Sequence, residues 1–152
     1  MLNEAQRNSL CIVMSMIEGK MRSMESRLDH PEEQRLMSEV RNDTTPEIAQ
    51  ALRKKIPEVY DLIRTLRDRL ALPRESKPLS RELLMGLPQL WVVLQESDSK
   101  SLRRFGEVNQ TLAPLLDPRI DALARLMFEL EDITIGKVPS VSRTVGEGGP
   151  VR

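Results

Sequence analysis

The chain has 152 residues, 30% of them charged, and its 23 Lys and Arg balance its 23 Asp and Glu. Neutrality excludes a whole-protein field that would draw in DNA or an anionic membrane. A single cysteine, Cys11, excludes an intrachain disulfide, and a single histidine, His30, excludes zinc sites built from several Cys or His.

Taken in chain order, Asn3 is placed to cap a helix whose first turn holds Glu4. An apolar stripe follows: Leu10, Met14, Ile17, Met21, Met24 and Leu28. Its alternating spacing of four and three is the a/d pattern of a helix packed lengthwise on another. Cys11 lies inside this apolar run and reads as a small buried hydrophobe. The run from Leu10 stops at Glu18, too short to cross a bilayer. No secretory cleavage pattern follows, so a cytoplasmic protein without membrane insertion is expected.

Asp29-His30-Pro31 ends this helix. Pro31 suits the first position of a short helix carrying Leu36, Met37 and Val40. Thr45-Pro46-Glu47 then reads as the cap and first turn of a second long helix. Its stripe is Leu52, Ile56, Val59, Ile63, Leu66 and Leu70, and it keeps phase across Pro57. A bend near Arg53 is expected, because proline removes one backbone bond.

Pro73 to Pro78 form a loop. Ser80 reads as the cap of a helix with Leu83, Leu87, Leu90 and Leu94 in phase and Trp91 beside them, weakened by Gly86 and Pro88. Ser97-Asp98-Ser99 is a turn and a new cap. Leu102, Phe105, Leu112 and Leu116 read as the next helix, with Asn109 at its seam and a bend at Pro114. Asp117-Pro118 reads as a restart. The last helix carries Ile120, Leu123, Met127 and Leu130 and ends by Gly136. No strand-like alternation stands out.

The expected fold is all-α, an antiparallel bundle of four to five helices. Two long helices lie in the N-terminal half, and shorter kinked ones follow. Residues 1–136 are expected to form this single bundle, and 137–152 a flexible C-terminal tail. Assigning heptad letters sets Glu18 and Glu25 of the first helix against Arg67 and Arg53 of the second when the two run antiparallel.

Charge is distributed unevenly. Residues 1–50 carry 6 basic and 9 acidic groups, residues 51–81 carry 9 and 4, and residues 82–152 carry 8 and 10. The basic segment holds Arg53, Lys54, Lys55, Arg64, Arg67 and Arg69, candidate contacts for a partner. Met16 falls off the first seam and is a further candidate. Asp61 and Asp68 interrupt the segment and only Tyr60 offers a stacking ring, which argues against nucleic acid.

Catalytic patterns are incomplete in this sequence. No Glu-x-x-His pair exists for a di-iron bundle. Gly136-Lys137 lacks the rest of a phosphate-binding loop, and Ser97 to Lys100 fits a Ser-x-x-Lys pattern without its companions. Glu129, Glu131 and Asp132, with Asp29, Glu32 and Glu33, are carboxylate groups of the kind a magnesium-dependent helical enzyme would bring together. The leading expectation is therefore a helical interaction module (adaptor, assembly factor or regulatory subunit) without metal or cofactor. Its partner is another protein or a second copy, a homodimer. Two alternatives stand beside it: a nucleic-acid-associated regulator using residues 53–77, and an enzyme with carboxylate chemistry.

Overall fold

The computed structural model describes residues 1–137. The chain is predominantly helical and divides into two compact units, Met1–Glu75 and Ser76–Arg152. The tail expected from residue 137 onward lies, past Lys137, outside the described residues.

In the first unit, α1 spans Glu4–Asp29. The Asn3 side chain accepts from the Gln6 amide at 2.8 Å, and the Gln6 side chain accepts from the Asn3 amide at 3.0 Å. This reciprocal pair satisfies two amide groups that the helix end would otherwise leave unpaired. The long helix α2 spans Pro46–Arg69. The Thr45 hydroxyl accepts from the Ile48 amide, and Pro46 occupies the first turn. Pro57 lies inside the helix without ending it. At its far end the Leu72 amide donates to the Arg67 carbonyl at 2.9 Å while Ala71 adopts φ +49°. That six-residue closure tucks Leu72, 8% exposed, under the helix.

The helices run antiparallel. Arg53 meets Asp29 at 3.0 Å, and further along the pair the Arg22 guanidinium lies 5.8 Å from the centre of the Tyr60 ring. Every member of the first stripe is half-buried, and Ile56 on α2 is 3% exposed. Leu66 departs from the expectation and remains 40% exposed.

Between the helices, the short helix expected after Pro31 is replaced by a two-stranded ladder. Strands β1 (Glu33–Gln34) and β2 (Glu39–Val40) pair antiparallel, with Glu33 opposite Val40. The Arg35 amide closes the turn onto the Ser38 carbonyl at 2.9 Å. Leu36 and Met37 stand at the tip, fully exposed. Glu33 bridges Arg27 of α1 and Arg35 of the hairpin, and these two guanidiniums lower its carboxyl from an ordinary 4.5 to about 2. Local ion pairs and a closed turn thus replace the apolar cover that so short a helix would have needed.

The second unit contains α3 (Leu79–Leu84), α4 (Leu87–Gln95), α5 (Ser99–Leu102) with a following 3-10 turn (Arg103–Phe105), and α6 (Leu112–Thr134). Gly86, at φ +88°, separates α3 from α4. Ser80 is not the expected cap: α3 starts at Leu79 after Pro78, with no side-chain cap. Asp98 does cap α5, accepting from the Ser101 amide at 2.7 Å.

The largest correction concerns residues 102–118. No continuous helix joins Leu102 to Leu116. The chain breaks at Gly106, φ +145°, and the Asn109 side chain accepts from both the amide and the hydroxyl of Thr111 at 3.0 Å. A short polar side chain here offers the backbone an alternative to helix. From Leu112, α6 runs unbroken through Pro114 and Pro118. Pro114 falls in the first turn, where an amide would have no helical partner anyway. Asp117 restarts nothing. Its carboxylate accepts from the amide of Ser99 at 2.8 Å and from its hydroxyl at 2.7 Å, pinning α5 to α6.

Trp91 of α4 meets Phe128 of α6 edge-to-face, with centroids 5.2 Å apart. Proceeding from Trp91 to Ser99, the contact on α6 retreats from Phe128 to Asp117, so α4 and α6 are antiparallel. The half-buried line on α4 is Leu87, Trp91 and Leu94. On α6 it passes through Ile120, Ala124 and Met127. The expected in-phase residues Leu83, Leu90, Leu123 and Leu130 are exposed instead.

Candidate association surfaces

All six candidate cations of the basic segment lie on α2. Four are engaged with carboxylates of the same unit. Arg53 reaches Asp29 across the helix pair at 3.0 Å. Lys55 meets Glu58 at 3.1 Å, Arg64 meets Asp61 at 2.6 Å, and Arg67 meets Asp68 at 2.9 Å. Lys54 and Arg69 are exposed and form no ion pair among the described residues. The six surround the helix and do not converge.

The flank pairing differs by about one helical turn from expectation. Arg53 pairs with Asp29, not Glu25, and Glu18 pairs with Arg22 along α1 at 3.4 Å. Tyr60 holds the middle of this flank. Its hydroxyl is buried with no hydrogen-bond partner among the described residues. Burial first, then the nearby Glu25 carboxylate, raise its titration above the ordinary phenol value. Glu25 is near enough to bias the phenol electrostatically without meeting hydrogen-bond geometry.

Met16 is 69% exposed, with Ile12 and Val13 close by on α1. These three interrupt what is otherwise a polar outer face of α1.

The sequence reading missed the most extensive apolar surface, which lies on the second unit. Antiparallel packing brings like flanks of two helices to the same side. On α4, the residues just before Trp91 and Leu94 are Leu90 and Val93. On α6, the residues just before Ala124, Met127, Glu131 and Thr134 are Leu123, Leu126, Leu130 and Ile133. Each of these six apolar side chains is between 44% and 58% exposed. Arg119, just before Ile120, is the one charge at the end of this flank. The opposite flank of α6 is mixed, with Asp121, Arg125 and Asp132 set among Phe128 and Ile135. A signal was available: the nine residues of α4 contain no charge, and α6 has apolar residues on more faces than one contact can cover.

Among the described residues, no group of His, Cys, Asp and Glu is arranged to hold a metal ion, and no helix is long and apolar enough to cross a membrane. Compared with family models, with curated proteins and with solved structures, the chain matches none of them.

Proposed function

We propose that this protein is a helical association module, an adaptor, assembly factor or regulatory subunit, acting by packing its exposed helix faces against other protein chains. One observation carries the reading. Among the described residues, only Ile56, Leu72 and Ala124 are buried apolar side chains, while leucines, valines and methionines stand exposed along α1, α2, α4 and α6. A chain of this length ordinarily hides most of its apolar side chains within one core. Contiguous exposed apolar faces mark surfaces that another molecule covers. The engaged cations of α2 support a protein partner over a phosphate backbone, since four of the six already hold carboxylates. Met16, Lys54 and Arg69 remain the contact residues of the first unit under this reading.

The test is affinity capture of the full chain from its native cells, with mass spectrometry, beside Met16→Glu and Leu126→Glu variants. The reading expects a protein retained by the natural chain and lost from a variant. A folded chain that sediments as a monomer and retains nothing would overturn it.

A further inference from the structure

We infer that the flank formed by Leu90 and Val93 of α4 with Leu123, Leu126, Leu130 and Ile133 of α6 pairs with the same flank of a second copy, closing two helix pairs into a four-helix bundle. This names the partner of the association reading and rests on it.

Three features argue for a second copy. First, the flank is apolar along its length, so setting it against itself juxtaposes no like charges except at Arg119. A partner selected by charge would find nothing here to select it. Secondly, the position of Arg119 specifies how two copies meet. It stands near the start of α6, and an antiparallel two-fold places it by the last carbonyls of the other copy's α6, where the helix dipole favours a cation. A parallel pairing would set Arg119 against Arg119. In the antiparallel register Leu123 meets the second copy's Leu130, and Leu126 lies beside its own counterpart. Thirdly, the area suffices. Six half-exposed side chains of this size hide on the order of 500 Å² per copy. The atoms between them bring this toward the ~800 Å² per partner of a standard interface. Such an isologous contact closes on itself, so it produces a dimer and not a fibre.

The experiment is sedimentation of the full chain over a range of micromolar concentrations. The expected mass is twice the chain's 17.4 kDa. Leu126→Glu is expected to return the mass to that of one chain, while Lys20→Glu, at an exposed position on the other unit, leaves the dimer intact. Should Leu126→Glu lose its helical circular dichroism, cysteine pairing carries the test. In a Cys11→Ser background, Leu123→Cys and Leu130→Cys chains are mixed and oxidised, and the mixed disulfide is expected to dominate either like-with-like product. A folded chain of single mass at every concentration overturns the inference, and so does a dimer indifferent to Leu126→Glu. Dominant like-with-like disulfides overturn the antiparallel two-fold. A monomer that still captures a protein, lost with Leu126→Glu, ends self-pairing alone. A monomer that captures nothing ends the association reading as well.

Discussion

The α1–α2 pair and the α4–α6 pair are built the same way and finished differently. In each, two antiparallel helices share a half-buried line, and the residues just before that line form one flank. On α1 and α2 that flank mixes apolar, polar and charged residues: Val13, Met16, Lys20, Ser23 and Arg27 on α1, and Lys55, Glu58, Leu62, Thr65 and Arg69 on α2. On α4 and α6 it is apolar until Arg119. The first pair carries charge on both flanks, with Arg53–Asp29 and the Arg22–Tyr60 stack crossing between its helices. In the second pair Arg119 is the one charge on that flank, and the other charges of the two helices lie elsewhere. A helix pair bearing charge on both flanks can stand in water; one bearing it on a single flank requires cover on the other.

The sharpest way to break this contrast is to ask whether the first pair holds itself together. Ile56 is the most buried apolar side chain described. Ile56→Ala removes three carbons from a packed site and is expected to cost about 2–5 kcal/mol. Urea unfolding followed by circular dichroism reads it. A loss well below that range would show that this line, too, is only half of a core. In the second unit the equivalent anchor is polar. Asp117→Ala strips the buried Ser99 of both its acceptors, and about 1–3 kcal/mol of destabilisation is expected. Asp117→Asn, which keeps one acceptor oxygen, should recover part of it. Equal losses from the two variants would mean that the carboxylate does not anchor α5.

Gly19 gives a smaller effect of opposite sign. It lies in the middle of α1, and a Cβ built on it meets nothing within 4 Å. Gly19→Ala is expected to stabilise the helix by about 0.5–1 kcal/mol, through the lower backbone entropy of the unfolded chain. A destabilised variant, or one whose association is weakened, would mean that another backbone approaches α1 closely there. The outer face of the first unit would then need cover as well.

How much of this could be read from the sequence follows from the same contrast. The first stripe, Leu10 to Leu28, was legible because from Glu18 onward only polar residues and Gly19 surround it, which fixes the 3-4 spacing although Ile12, Val13 and Met16 adjoin its start. The caps at Asn3, Thr45 and Asp98 were legible because each requires only a local side chain and an amide three residues on. On α4 and α6 the spacing admits more than one face. Leu83, Leu87, Leu90 and Leu94 are in phase, but so are Leu84, Leu87, Trp91 and Leu94, and the structure takes the second set. Which apolar line turns inward is decided by Trp91 meeting Phe128 and by Ser99 docking on Asp117, contacts between residues far apart in the chain. The hairpin after Pro31 was hidden for another reason: its two-residue strands are too short to show alternation.

The gentlest probe is acid and salt acting on that hairpin. Glu33, lowered to about 2 by hydrogen bonds from Arg35 and Arg27, binds its proton more weakly folded than unfolded. Its contribution is therefore complete above the ordinary 4.5 and is lost as pH falls from there through about 2. An NMR titration of the Glu33 carboxyl should show its midpoint near about 2, and Glu33→Gln should remove the dependence of the hairpin amides on that step. Because these side chains are exposed, concentrated salt screens the bridge and should move the midpoint back toward 4.5. The same salt series should leave the pairing of the Leu126 flank intact, since apolar burial has no charge to screen and some salts strengthen it. Salt that loosens both would make the second unit's cohesion electrostatic and erase the distinction between the two helix pairs.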